Sequence, residues 1–280
     1  MPFRLDPEPT FRHVLAQAGA AAGDGPVPPK AGLWVCSGSA LVAEIMAGSG
    51  TDWLLIDVEH SPNSLESVLA QLQAVHGYPV TPMVRLPWND TVLIKQYLDL
   101  GAQNLLIPMV NDADQARAAV AAVRYPPHGV RGVGAALARG ARWNRIPDYL
   151  ARADETVSLT VQIETADAVA NVGEILAVDG VDAIFIGPSD LAASLGHLGE
   201  QDHPEVVAAV EHCLEAARDA GKPAGVNAFA EAMARRYIAA GARFLLVGAD
   251  VALLARSSEE LAACFAPPSS ADDGASPASY

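Results

Sequence analysis

Eight short apolar runs recur along the chain, and each is followed by a segment whose apolar residues fall at three- and four-residue spacing. The strand candidates are GLWVC (32–36), WLLIDVE (53–59), TPMVRL (81–86), NLLIPMV (104–110), LTVQIE (159–164), AIFIG (183–187), AGVNAF (224–229) and FLLVG (244–248). Helical candidates such as 65–76, 91–101, 112–124 and 205–221 fill the intervals, and several stop at a glycine. The strand runs are continuously apolar, as in a parallel sheet covered on both faces. Eight βα units in succession predict an α/β chain folded as a closed (β/α)8 TIM barrel, in preference to an open doubly wound sheet. No G-x-G-x-x-G follows the first strand, which weakens a dinucleotide-binding reading.

The 280 residues suit one barrel with ragged ends. Residues 18 to 31 and 266 to 280 are rich in Ala, Gly, Pro and Ser and have little to bury. The expected organisation is therefore a short leading helix and linker over 1–31, the barrel over 32–265 and a disordered tail over 266–280. Residues 125–157 interrupt the alternation and hold Arg131, Arg139, Arg142, Arg145 and Arg152. So long an excursion is either a solvated structural detour or, as Trp143 and RGVGAAL suggest, ordered packing near a subunit contact or the pocket.

A formal net charge of -15 disfavours nucleic acid and anionic membranes as partners, since both attract Lys and Arg clusters. Nowhere do 18 consecutive apolar residues occur, so no membrane span is expected. The three cysteines, Cys36, Cys213 and Cys264, are too scattered for a disulfide framework. With an N-terminal segment that does not read as a signal peptide, they fit a reduced, cytoplasmic setting.

Polar residues cluster where strands end, which is where a parallel barrel builds its active site. Glu164 and Asp190 terminate consecutive βα units, so their carboxylates can converge on one hard cation such as Mg²⁺ or Mn²⁺. Each carboxylate alone serves equally well as a helix cap. Taken jointly, with Gln162 on the same strand face as Glu164, they favour a metal site. His60 is of the residue type that serves as a general base near neutral pH, and it follows Asp57 and Glu59, which period-2 alternation sends to one face. One of those carboxylates orients the site or pairs with Arg85, whose guanidinium suits a substrate carboxylate or a developing enolate oxygen. The segment Gly187, Pro188, Ser189 turns from strand to helix and offers backbone N–H groups to a small carboxylate. The remaining histidines (His13, His76, His128, His197, His203, His212) lack metal-ligand spacing and read as surface residues. The three lysines, Lys30, Lys95 and Lys222, all lie away from strand carboxyl ends, so a Schiff-base route has no nucleophile and carbonyl chemistry must be metal-assisted.

The stretches LLIDVEHSPN, VRLPWND, RYPPHGVRGVG with RWNRIPDYL, VQIET and GVDAIFIGPSDLAASLG resemble the HpcH/HpaI class II aldolases over roughly residues 32 to 265. The resemblance is greatest to members acting on 4-hydroxy-2-oxoheptanedioate. It implies a (β/α)8 barrel, a homo-oligomer built as a hexamer (a trimer of dimers) with a terminal helix exchanged, and a place in aromatic catabolism. It also implies divalent-metal-dependent cleavage of 4-hydroxy-2-oxo acids to pyruvate and an aldehyde, with Mg²⁺ or Mn²⁺ and also Co²⁺ or Zn²⁺ as ions. Residue by residue, the family's metal ligands fall on Glu164 and Asp190, its histidine on His60 and its enolate-stabilising arginine on Arg85. An aspartate that supports the histidine from a neighbouring subunit falls on Asp99, in QYLDLG. The pyruvate carboxylate falls to the backbone of Gly187 to Ser189.

Asn227 departs from the aliphatic residue usual in the heptanedioate type, and GPSDLAASLGHLG is closer to relatives that cleave 2-keto-3-deoxyglucarate. A lyase of acyl-CoA esters would want a basic groove, against which the scarcity of lysine argues. An oxaloacetate decarboxylase would use the same enolate stabilisation, and a non-catalytic barrel subunit would have no use for His60, Arg85, Glu164 and Asp190 together.

Overall fold

A computed structural model describes residues 3–22 and 27–266, so the predicted tail, apart from its first residue, lies outside the described residues. The eight strands are β1 (Lys30–Val35), β2 (Trp53–Asp57), β3 (Thr81–Arg85), β4 (Asn104–Ile107), β5 (Ser158–Ile163), β6 (Ala183–Ile186), β7 (Ala224–Asn227) and β8 (Phe244–Ala249). They pair in parallel, in chain order, and β8 returns to β1 to close the barrel. The helices are α1 (Phe11–Ala22), α2 (Ala40–Ala47), α3 (Leu65–Ala74), α4 (Thr91–Asp99), α5 (Ala113–Val123), α6 (Tyr149–Arg152), α7 (Ala166–Ala170), α8 (Val172–Leu176), α9 (Pro188–Ser194), α10 (Pro204–Asp219), α11 (Glu231–Ala240) and α12 (Asp250–Ala263). The predicted single-domain (β/α)8 architecture is thus the observed one. None of the described helices is long and apolar enough to cross a membrane.

Local chemistry sets the element boundaries. Asp90 caps α4 by accepting from the N–H groups of Val92 and Leu93, and Asp112 caps α5 by accepting from Gln115. The fourth strand stops at Ile107 rather than at the expected residue 110. Pro108 brings no N–H to the ladder, and Met109 turns into the left-handed region at φ 54°. The leading helix continues to Ala22, past the expected start of the linker at residue 18, and β1 begins at Lys30.

The pleat divides the apolar residues into two cores. Leu54, Ile56, Val84, Leu105, Val161, Ile184 and Val226 face outward and pack under the helices. Trp53, Leu55, Met83, Leu106, Phe185, Phe244 and Leu246 face inward and fill the barrel. At the amino-terminal end, Phe11 of α1 enters between Trp53 and Phe244, with ring centroids 5.3 and 5.1 Å away. Its backbone N–H donates to Asn104 Oδ1 at 2.7 Å, and Arg12 pairs with Asp182 at 3.0 Å. The leading helix therefore plugs the barrel floor and is no mere lead-in.

Residues 125–157 are ordered. Tyr125, Ala135, Ala141, Ile146, Tyr149 and Ala153 form a small third core, in which the Arg131 guanidinium lies over the Tyr125 ring at 4.6 Å. The solvated alternative is set aside by this packing.

Phe11→Ala should leave a cavity against Trp53 and Phe244 and cost about 3–5 kcal/mol. Urea unfolding should show a lower midpoint with an unchanged slope, and a midpoint equal to wild type would remove the plug from this account.

Candidate active site

The inward positions nearest the carboxyl ends of the strands are Trp34, Asp57, Arg85, Gln162, Glu164, Gly187 and Asn227, so one periodicity delivers them all to the barrel mouth. Asp57 and Arg85 are register partners on β2 and β3. Arg85 Nε donates to Asp57 Oδ1 at 2.9 Å, and Arg85 Nη1 lies 2.8 Å from Glu59 Oε2. The second contact is an ion pair out of line for a hydrogen bond, which leaves that buried Glu59 oxygen without a hydrogen-bond donor. Burial pushes the Glu59 carboxyl up, against the opposing pull of Arg85 and His60. Asp57 also organises the following loop by accepting from the Glu59 N–H and the Ser61 hydroxyl, each at 3.0 Å. Where one of the two carboxylates is expected to pair with Arg85, both do.

Arg85 is only 5% exposed, and its fourth side is an aromatic ring. The guanidinium carbon stands 4.3 Å from the Trp34 ring centroid, within cation–π range. Trp34 is held in turn by Asn227, whose Oδ1 accepts from the indole N–H at 2.8 Å. Nothing in the strand-end polar pattern singled out Trp34, although its inward position near the end of β1 is the signal that finds it.

Glu164 is 2% exposed and follows β5 directly. One oxygen accepts from the Met109 N–H at 2.7 Å, and the other accepts from the Gln162 amide. Burial, reinforced by Glu59 and Asp190, pushes its carboxyl up to about 7. The left-handed Met109 is what aims that N–H, a backbone conformation unusual for methionine that persists only where the surroundings enforce it. No residue type in the sequence announces such a position.

Asp190 stands exposed in the first turn of α9, on the unit next to Glu164, and its charge reaches both Glu59 and Glu164. Gly187 lies between them at a point of close approach. A Cβ there would come within 2.9 Å of Gln162 Nε2 and 3.0 Å of Glu164 Oε2. Its neighbours Pro188 and Ser189 open α9, as expected.

A cluster of Glu164, Asp190 and Glu59 around one arginine carries more negative than positive charge. Its donors are oxygens, and buried Gln162 Oε1 and Glu59 Oε2 lack hydrogen-bond partners. That donor set fits a hard divalent cation.

His60 is adjacent but loosely held. Its side chain is 66% exposed, and its nearest charged partner is Glu59 Oε2 at 3.8 Å. Asp99 is not brought to it. Asp99 ends α4, which runs from the carboxyl end of β3 back toward the amino end of β4, and there it pairs with Arg131 Nη2 at 3.3 Å. Within one chain the two residues belong to opposite faces of the barrel.

The model of the HpcH/HpaI aldolase/citrate lyase family matches residues 30–257. The chain belongs to that family. A 4-hydroxy-2-oxo-heptane-1,7-dioate aldolase of Salmonella dublin is 56% identical over 237 residues, which are 85% of this chain and 90% of the relative. The crystal structure of an HpcH/HpaI aldolase/citrate lyase family protein from Burkholderia cenocepacia J2315 superposes with a TM-score of 0.82 at 40% identity, covering 89% of this chain and 98% of that one. An HpcH/HpaI aldolase from Desulfitobacterium hafniense DCB-2 gives a TM-score of 0.79 at 27% identity over 91% and 97% of the two chains.

Gly187→Ala should force Gln162 and Glu164 apart at a cost of about 1–3 kcal/mol. The check is thermal unfolding of the chelator-treated variant beside wild type, and equal stability would mean that the cradle is looser than drawn here.

Proposed function

We propose that this member of the family is a class II pyruvate aldolase. It cleaves 4-hydroxy-2-oxo acids, such as 4-hydroxy-2-oxoheptanedioate, to pyruvate and an aldehyde such as succinate semialdehyde, and it runs the aldol addition in reverse. The observation that carries this reading is the buried Arg85 beside the Glu164 and Asp190 carboxylates at the barrel mouth. The named Salmonella relative supplies the reaction.

Glu164 and Asp190 would hold a divalent cation, Mg²⁺ or Mn²⁺ by the oxygen donor set, and that ion supplies Lewis acidity toward the 2-oxo group. Arg85 uses Nε and Nη1 on Asp57 and Glu59, which fixes the guanidinium and leaves Nη2 for the oxygen on which enolate charge develops. Trp34 and Asn227 hold it from the other side. Gln162 fixes the orientation of Glu164, and in the turn from Gly187 to Ser189 the Ser189 N–H receives the substrate carboxylate, since Pro188 carries none and Gly187 donates to Ile163 O. His60 takes the proton of the C4 hydroxyl as the carbon–carbon bond breaks. Its exposure in a single chain leaves it in need of an orienting carboxylate, and Asp99 of a neighbouring subunit fills that role.

Unpartnered apolar faces support the assembly this requires. Around Asp99 the exposed residues include Val130, Val133 and Leu137, the last 89% exposed, and α12 presents Leu253, Leu254 and Leu261. A homo-oligomer, read as a trimer of dimers, covers them. A second substrate reading, 2-keto-3-deoxyglucarate, is favoured by Asn227. Trp34 occupies its oxygen, so its amide N–H groups remain for a hydroxyl on the aldehyde half. A cytoplasmic setting accords with chemistry on such acids.

A coupled assay over a panel of 4-hydroxy-2-oxo acids should show pyruvate release that EDTA abolishes and that Glu164→Ala lowers by at least roughly a thousandfold. Undiminished release by that variant would sink the reading, and the preferred acid decides between the two substrates. Leu137→Asp should shift sedimentation toward smaller species and lower activity together, whereas a full-size, fully active variant would detach Asp99 from the site.

Protons and the cation compete for Glu164, so affinity should depend on pH. With its carboxyl held up at about 7, against 4.5 ordinarily, calorimetric metal affinity should rise roughly tenfold per pH unit below about 7 and level off above it. A folded-state pKa above the unfolded one favours the fold below pH 4.5, and that contribution is lost as pH rises through about 7. Chelator-treated protein should therefore lose stability across that window and recover it on adding metal at the upper end. Affinity independent of pH from 6 to 8 would contradict the buried ligand.

A further inference from the structure

His197 and His203 read as surface histidines without metal-ligand spacing in the sequence. The fold brings the two together. Left-handed turns at Gly196 (φ 88°) and Gly199 (φ 85°) curl the segment after α9, and hydrogen bonds from Glu200 N–H to His197 O and from His203 N–H to Glu200 O hold the curl. The two imidazoles stack with centroids 3.5 Å apart and an interplanar angle of 18°. Glu205, in the first turn of α10, completes the group, with its Oε2 2.9 Å from His197 Nε2. One ligand atom from each of His197, His203 and Glu205 lies within 4.8 Å of the other two.

The donor chemistry differs from that of the barrel mouth. Glu164 and Asp190 offer oxygens alone, whereas here two imidazoles accompany one carboxylate, a set that suits borderline transition ions above Mg²⁺. His203 caps α10 by accepting the Glu205 N–H on Nδ1, so in the neutral ring the proton sits on Nε2 and His203 binds an ion only by releasing that cap. An ion lies in the plane of every imidazole that binds it, so two parallel rings share one only if a ring turns. His197, held by Glu205 alone through its side chain, is the ring free to do so.

We propose that His197, His203 and Glu205 form a second divalent-metal site, of zinc type, separate from Glu164 and Asp190. Its position gives it a consequence for the mouth. Gly199, Gln201 and Asp202, inside the same loop, line a cavity of ≈ 870 Å³ together with Pro188, Asn227 and Phe229. An ion bridging residue 197 to residues 203 and 205 closes the loop on itself and fixes one wall of that cavity. Activity supported by Mg²⁺ at the barrel mouth does not need it.

The test uses the full chain, stripped with chelator and titrated calorimetrically with Zn²⁺ alone. Wild type should bind two ions per chain. Glu164→Gln with Asp190→Asn should retain one, and adding His197→Ala should weaken that one by at least roughly tenfold. His197→Gln provides the same comparison should the alanine variant fold poorly, and Glu205→Gln should act in the same direction. Zn²⁺ should also raise the unfolding temperature of the Glu164→Gln, Asp190→Asn protein, since an ion bound only by the native state stabilises it. Zinc binding unchanged by the His197 and Glu205 substitutions would overturn the proposal, as would no binding once Glu164 and Asp190 are replaced. Because the readout is zinc stoichiometry, a failure of pyruvate release leaves its outcome intact.

Discussion

Closure of eight parallel strands is the constraint on which the rest of this molecule depends. Once β8 pairs with β1, every second residue of every strand is committed to an interior with no other exit than the two ends. Apolar residues occupy the middle and the floor, where Phe11, Trp53, Phe185 and Phe244 stack into one aromatic plug. Polar inward residues gather at the mouth, where water and each other can satisfy them, while Asn104 and Ser158 at the floor are satisfied by the N–H groups of Phe11 and Arg12. The gathering of Asp57, Arg85, Gln162, Glu164 and Asn227 is therefore a consequence of pleat and closure, before any chemistry is asked of them.

What the mouth then does with charge follows from burial. Arg85 is nearly inaccessible, and a buried guanidinium persists because it is paired twice and covered by an indole. Glu164 has no such cation in contact. It is held by two N–H donors and keeps its carboxyl raised, which makes it a poor anion alone and a good ligand once a cation arrives. The barrel mouth thus contains a paired cation beside carboxylates that exceed it in charge. That excess of negative charge suits the mouth to a divalent cation, which would supply the positive charge for an enolate beside Arg85.

Much of this was legible in the sequence for a plain reason. Period-2 alternation and apolar runs are local, and a barrel converts them to inside and outside without ambiguity, so Asp57, Glu59, Arg85, Gln162, Glu164 and Asp190 could be placed together from their positions alone. Asp99 could not, because α4 ends at the opposite end of the barrel, where Asp99 pairs with Arg131 instead of His60. Met109 could not, since a left-handed methionine has no signature in residue type. Trp34 was hidden as an ordinary core residue of an apolar strand. His197 and His203 lack the spacing of a regular motif and meet only because two glycines curl the loop between α9 and α10.

The sequence by itself determined the barrel, its family, the mouth-facing residues and the want of a lysine for covalent chemistry, because each rests on short-range periodicity or on residue identity. Tertiary structure alone decided how those residues pair: Arg85 between Asp57 and Glu59 and under Trp34, Gly187 pressed against Glu164, Asp99 turned away from His60. Pairing depends on distances between strands and loops remote in the chain. Those distances are set by packing and closure, which no local pattern encodes.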